Sequence, residues 1–280
     1  MNSENKYSVK AFLKGFHKVE VGQKIANCEF GFDSNRSQYF LSTIVSADSM
    51  KEAKRKGESR LFQVLSVFVV YTGIYYSIST IGVDQISGEQ PFLHSGEVIL
   101  GRLTYLPISK EKIEEIGKLV MLLDKLPSQE QSTKRVDRAI NYFLKGCFFE
   151  TQKGEYVRAE SFLNFYKAVE IISHDFRKSF DKKVSGQLET TLLTDITEKE
   201  IEKLRTTKRL IQFMCKKLGI TNVCDISRIV ELRNEFSAHA SLEEVNVSKK
   251  EIDDCKTLAA KTIMKYADHI KRSPLDSPAL

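Results

Sequence analysis

The chain has 280 residues, of which 41% are hydrophobic and 29% charged, a balance that is typical of globular domains and excludes intrinsic disorder over most of its length. Its length favours two domains. The net charge of +6 is small and lies mostly after residue 130, which is compatible with a phosphate-bearing partner without demanding one.

The five cysteines do not form the pattern of a disulfide framework or a zinc site, because their number is odd and no CxxC pair occurs. The N-terminal residues lack the short apolar core of a secretory signal. We therefore expect a reducing, cytoplasmic location. No metal and no cofactor are predicted, since the sequence has no glycine-rich phosphate loop, no GxSxG elbow and no HExxH pair.

The first part of the chain mixes strand and helix patterns. β-Branched and aromatic residues over 39–45 predict a strand. Ser49 and Glu52 then form a capping box that starts an amphipathic helix. Further strand patterns, expected to join one sheet, lie over 7–16, 24–32, 74–81 and 98–106.

One uncharged run, Leu61–Val83, has the length of a membrane span. Polar side chains interrupt it, and at Gly73 the helical spacing of apolar residues gives way to alternation. A buried helix that ends at Gly73 and leads into a strand explains this change better than a span does. The sequence therefore predicts no membrane segment.

A charged amphipathic helix is predicted over 109–125, followed by the short polar segment Leu126–Ser132, LPSQEQS. Its proline and its polarity make it the best domain boundary in the chain. The sequence therefore predicts an N-terminal α/β domain over 1–127 and a helical domain over 128–280. The first has no assigned role, and we expect it to act as a sensor or regulator that binds a trigger ligand or partner.

Strand patterns disappear after this boundary. Apolar residues at helical spacing, with paired capping residues, predict five helices over 133–149, 155–176, 197–218, 225–239 and from Ser248 onward. A polar connection is expected over 183–194. Short loops favour antiparallel packing, so the predicted fold class is α+β, a mixed α/β domain followed by an all-α antiparallel helical bundle.

The segment ELRNEFSAHA, residues 231–240, places Arg233, Asn234 and His239 near the end of the fourth of these helices. An arginine, a polar residue next to it and a histidine after five intervening positions resemble the motif of the HEPN superfamily of helical bundles, whose commonest spacing is four. The upstream segment SFLNFYKAVEII, residues 161–172, resembles the aromatic-rich helix of HEPN families with an ApeA-like C-terminal domain. Those families often carry an N-terminal α/β region. The resemblance covers about residues 132–272.

This resemblance implies a metal-independent endoribonuclease that leaves a 2′,3′-cyclic phosphate and serves as a toxin or antiviral effector. RNA is then the expected partner. His239 can transfer protons near neutral pH. Arg233 offers a permanently charged donor fork to phosphate oxygens, and Asn234 can orient one of them.

HEPN nucleases act as dimers with a composite site, and helix geometry agrees with such an arrangement. On a straight α-helix, six residues turn through about 600°, which leaves Arg233 and His239 roughly 120° apart with about 9 Å of rise. Either the helix bends near Ser237 or two chains bring their motifs together. The resemblance favours a homodimer.

The same residues also have simpler explanations. Glu235 lies four residues before His239, as an ordinary helix-face pair does. Arg233 can bond a carboxylate on a neighbouring helix, for example Glu170, and a histidine in a last turn suits the helix dipole. The alternative functions are a non-catalytic HEPN-type module that binds RNA, a nucleotide or a protein, and a structural dimerisation protein.

A basic run supports a phosphate-bearing partner. Six basic residues and no acidic one lie between Lys203 and Lys217. Four fall near one helix face and are the predicted RNA- or phosphate-binding residues: Arg205, Lys208, Arg209 and Lys216. No aromatic residue is assigned to this face, so no stacking of bases is expected there.

Overall fold

A computed structural model of the chain describes residues 5–14, 22–86, 108–126, 130–153, 156–191, 207–221, 225–238 and 247–272. They belong to two compact units, residues 1–124 and 125–280. The first unit contains a five-stranded antiparallel sheet and the second is helical, so the α+β class is confirmed. The domain roles assigned to 1–127 and 128–280 stay predictions.

The sheet of the first unit has the order β2-β3-β4-β1-β5 with every pairing antiparallel. Its strands are β1 (Asn5–Lys14), β2 (Lys24–Ile25), β3 (Cys28–Asp33), β4 (Gln38–Ala47) and β5 (Ser77–Gln85). The strands expected near 7–16, 24–32 and 39–45 are thus confirmed as members of one sheet. The strand expected over 74–81 begins at Ser77, and the one over 98–106 lies outside the described residues.

The helix α1 (Met50–Thr72) packs on this sheet, and its two ends follow the sequence prediction. The Ser49 hydroxyl accepts the Glu52 amide at 3.3 Å, and Gly73 ends the helix at φ 69°. Gly57 allows close packing, because a Cβ there would lie 2.5 Å from the Val9 side chain. A second helix, α2 (Lys110–Lys125), is held to α1 by an Arg60–Asp124 ion pair of 2.6 Å. Within the described ranges, no helix is long and apolar enough to cross a membrane.

The second unit is built on three long helices, α3 (Gln131–Glu150), α4 (Val157–Ser173) and α8 (Lys249–Arg272). Around them lie the shorter helices α5 (Arg177–Thr191), α6 (Thr207–Lys217) and α7 (Ile226–Ala238), with a 3-10 turn at His174–Phe176. Aromatic rings fill the core, as where Phe143 meets Phe165 at 5.1 Å between centroids.

The polar connection predicted over 183–194 is wrong, because α5 continues through it to Thr191. Polar residues and Gly186 surround the few apolar residues of this segment, which is why its sequence resembles a loop. Phe180 instead anchors the helix, being 6% exposed and in edge contact with Phe213 of α6 at 5.6 Å. The helical unit therefore has at least six helices where the sequence predicted five.

The predicted starts of the last two helices are confirmed, and the start predicted at residue 197 lies outside the described residues. The Asp225 carboxylate accepts the amides of Ser227 and Arg228 at the start of α7. Ser248 and Glu251 form a reciprocal capping box before α8, in which the Glu251 carboxylate accepts the Ser248 amide at 2.8 Å. These caps fix where α7 and α8 begin, and α7 carries the candidate site.

Candidate functional site

The helix α7 sits against α4 through one apolar face and presents Arg233 beside it. Leu232 is fully buried, and the ring of Phe236 lies 5.9 Å from that of Phe162 on α4. These contacts fix the rotation of α7 about its axis. Arg233 is thereby brought to the surface of α4 with 37% of its side chain exposed.

Arg233 contacts two residues of α4 that are one helical turn apart. Its Nη2 atom lies 3.5 Å from Oε1 of Glu170, and its guanidinium carbon lies 5.9 Å from the centroid of the Tyr166 ring. The first distance exceeds the roughly 2.7–3.2 Å of an N–H···O hydrogen bond, and both side chains are partly solvated. Such an ion pair contributes about 0.2–1 kcal/mol, so a phosphate can compete for the guanidinium.

The sequence analysis offered Glu170 as a structural partner for Arg233, and the structure brings these two side chains together. Asn234 lies next to Arg233 and is exposed, with its Oδ1 accepting Arg233 Nη1 at 3.4 Å. His239, the third predicted catalytic residue, lies outside the described residues. The position of its imidazole relative to Arg233 therefore stays a prediction.

Glu235 is engaged by a second arginine of the same helix. Arg228 Nη1 donates to Glu235 at 3.0 Å and its Nε donates to Glu251 at 2.8 Å. The hydrogen bond that Arg228 donates to Glu251 is the main reason that the pKa of Arg228 is raised. This network ties α7 to the start of α8, so Arg228 is structural and leaves Arg233 as the arginine that faces α4.

Tyr166 is a member of this site that the sequence analysis did not single out. Its side chain is 1% exposed, and within the described part of the chain its hydroxyl has no hydrogen-bond partner. Burial, with a further contribution from the Glu170 charge, raises the pKa of Tyr166, so the phenol stays protonated. A buried hydroxyl without a partner lowers the free energy of unfolding, which makes the Tyr166 hydroxyl an unusual feature of the contact between α4 and α7.

The basic face of α6 is the second candidate feature. Leu210, Ile211 and Met214 fill the core, and this orientation leaves Arg209 and Lys216 exposed and Lys208 half-buried. Arg205 lies outside the described residues. Three of the four predicted phosphate-binding residues thus lie on the outer side of α6.

An open depression of about 530 Å³ lies beside this face, between the end of α6 and the start of α7. Its lining includes Gln212, Lys216 and Asp225. The Asp225 carboxylate already occupies the amides at the start of α7, and those bonds lower the pKa of Asp225. A fixed negative charge there disfavours a phosphate, so the depression is a poorer anion site than the exposed α6 face.

The described ranges give little support for a metal site or a cysteine nucleophile. No group of three or more histidine, cysteine, aspartate or glutamate residues is placed there to hold a metal ion. Four cysteines of the described ranges have buried thiols: Cys28, Cys147, Cys215 and Cys255. Burial raises the pKa of Cys147 to about 12 and that of Cys215 to about 11, so these two thiols are not nucleophiles at neutral pH.

No protein-family model, curated protein or solved structure matches the chain. The resemblance to the HEPN superfamily therefore stays a prediction from the residues of the motif.

The sequence contains one hint of Tyr166, its spacing from Glu170, but this spacing does not distinguish Tyr166 from other core residues. Tyr166 and Glu170 are four residues apart on α4, the spacing of side chains that share a helix face. Nothing in that spacing indicates that the hydroxyl lacks a partner or that Arg233 arrives from another helix. Both facts depend on how α7 packs on α4.

Proposed function

We propose that the helical unit is a metal-independent HEPN endoribonuclease whose composite site forms in a homodimer, and that it serves as a cytoplasmic toxin or antiviral effector. The observation that carries this proposal is the state of Arg233. Its guanidinium is partly exposed, lies beside the exposed Asn234, and lies 3.5 Å from a carboxylate oxygen of Glu170. A phosphate can approach the exposed part of this guanidinium and compete with its acidic neighbour.

The proposed chemistry is a transesterification within RNA. The ribose 2′-oxygen attacks the adjacent phosphorus as its proton is taken up, the bond from phosphorus to the 5′-oxygen breaks, and that oxygen is protonated. His239 supplies the proton transfer, and Arg233 stabilises the negative charge on the crowded phosphate. When Arg233 turns to the phosphate, Glu170 loses a weak contact that solvent can replace.

A cleavage assay on synthetic RNA tests this proposal. Arg233→Ala and His239→Ala should each abolish cleavage while the far-UV circular dichroism spectrum stays unchanged. Each has a matched control. Arg228→Ala removes a structural arginine of the same helix, and His174→Ala removes an exposed histidine elsewhere, so both should keep cleavage.

Cleavage retained by a folded His239→Ala variant would refute the catalytic assignment. The second candidate function, a non-catalytic binding module, is favoured by the engagement of Arg233 with both Glu170 and Tyr166. A binding module should bind RNA without cleaving it. In that case Arg233→Ala should lower thermal stability, and His239→Ala should change neither RNA binding nor thermal stability.

A further inference from the structure

An aromatic ring lies within the basic face of α6. Phe213 is half-buried and occupies the helix position four residues after Arg209 and four before Lys217, so the three side chains form one row. The buried residues of α6 lie on the other side of the helix. The expectation that this face has no aromatic residue is therefore wrong, because helical spacing places Phe213 about 40° from Arg209.

The surroundings of Phe213 hold its ring in place and surround it with positive charge. Phe180 backs the ring in an edge contact at 5.6 Å with an interplanar angle of 64°. The Nζ atoms of Lys183 on α5 and Lys217 on α6 lie 5.8 and 5.6 Å from the ring centroid. Residues 207–217 contain no acidic side chain. An anion approaching this ring meets cations contributed by two helices.

We propose that Phe213 is a stacking platform for one base of single-stranded RNA, with Arg209, Lys183 and Lys217 binding the neighbouring phosphates. This inference rests on the proposed function and adds the substrate class. A fixed aromatic ring inside a basic surface is the combination used by proteins that bind single strands, because every base has a π face. Duplex RNA hides those faces, so the site selects unpaired RNA.

A second aromatic residue provides a matched control. Tyr142 on α3 also has two lysines near its ring, Lys145 at 5.4 Å and Lys167 at 5.7 Å. Its helix carries Asp137 and Glu150 in addition to its basic residues, whereas α6 has no acid. Tyr142 therefore has the local chemistry of Phe213 without the surrounding basic face.

The experiment measures binding of the full chain, made cleavage-deficient by His239→Ala, to a labelled 12-nucleotide uridine strand and to an RNA duplex. Phe213→Leu should weaken single-strand binding about 5- to 150-fold, since one stacked base contributes roughly 1–3 kcal/mol. Duplex binding and the salt dependence should not change, because the phosphate contacts remain. Tyr142→Leu should bind both RNAs as the parent does.

A second variant keeps the test decisive if leucine disturbs the fold. The chain contains no tryptophan, so Phe213→Trp gives a single indole reporter. Its fluorescence should be quenched by the uridine strand, and that of Tyr142→Trp should not. Normal single-strand binding by a folded Phe213→Leu variant, or equal quenching at both positions, would overturn the platform while leaving RNA as the partner. If the parent binds neither RNA, the proposed function fails as well.

Discussion

Two buried tyrosines of the helical unit differ in one respect. The Tyr266 hydroxyl on α8 donates to the Asp175 carboxylate at 2.5 Å, whereas the Tyr166 hydroxyl on α4 has no partner within the described residues. Both side chains are almost completely buried, at 0% and 1% exposure. Replacing each tyrosine by phenylalanine removes a single oxygen. The two variants therefore compare the change in unfolding free energy when a hydrogen-bonded hydroxyl is lost with the change when an unpartnered hydroxyl is lost.

Tyr266→Phe should destabilise the unit. A hydrogen bond to a charged group contributes about 1.5–3 kcal/mol to the free energy of unfolding. The lower end of that range applies, because Asp175 is 37% exposed and is also bound by Arg135. Tyr166→Phe strands no partner and removes a buried polar oxygen, so it should leave the free energy unchanged or raise it by up to about 1 kcal/mol.

Urea unfolding followed by circular dichroism compares the two variants under equal m values. In this titration Tyr266→Phe should lower the free energy of unfolding by about 1.5 kcal/mol, and a thermal scan should show a melting temperature about 3–6 °C lower. Tyr166→Phe should lower neither quantity. Equal destabilisation by both substitutions would refute the reasoning, since it would mean that the Tyr166 hydroxyl has a stabilising partner. Loss of RNA cleavage in a fully stable Tyr166→Phe variant would instead mean that the hydroxyl acts in the Arg233 site.

Three further outcomes are expected. Cleavage should be unaffected by EDTA, and activity that is lost on chelation and restored by magnesium would contradict the mechanism. Burial alone would raise the pKa of Glu251, but hydrogen bonds from Ser248 and Arg228 hold that pKa below its usual value. The Glu251 carboxylate therefore contributes its full stability above the usual carboxyl pKa, and this contribution is lost as the pH falls. Glu251→Gln should therefore destabilise the chain at pH 7 and progressively less as the pH of the urea titrations is lowered into the acid range, and a loss that does not depend on pH would count against it. Light scattering at micromolar concentration should give twice the mass of one chain, and a strict monomer would exclude a composite Arg233–His239 site. We expect the dimer interface to exceed roughly 1,000 Å² in total.

The helix ends of this protein were predictable because they depend on local chemistry. Ser49 with Glu52, Asp225, and Ser248 with Glu251 each satisfy amides two or three residues away. Gly73 adopts the left-handed conformation that ends α1 within the uncharged run. None of these features requires knowledge of a distant residue, so the sequence alone identifies them.

The helix α5 was not predictable on the same basis. Its sequence, RKSFDKKVSGQLETT, is mostly polar, with Phe180, Val184 and Leu188 as its apolar residues at four-residue spacing. Three apolar residues among 15, with Gly186 between them, give a weak helix signal, and the contact of Phe180 with α6 is seen only in the structure. The same contact positions Phe213 and brings Lys183 beside it. The four-residue spacing from Arg209 to Phe213 was present in the sequence, but the approach of Lys183 from another helix was not.

Arg233 shows the limit of the sequence most clearly. Its pattern with Asn234 and His239 supported two readings, a phosphate ligand and a partner for Glu170, and the structure contains the second contact. The two readings do not exclude each other, because a 3.5 Å pair with 37% and 26% exposed side chains leaves the guanidinium accessible to solvent. The guanidinium carbon also lies 5.9 Å from the centroid of the Tyr166 ring. A phosphate with stronger, bidentate bonds can take the guanidinium from that position without repacking of α7, whose apolar face stays on α4.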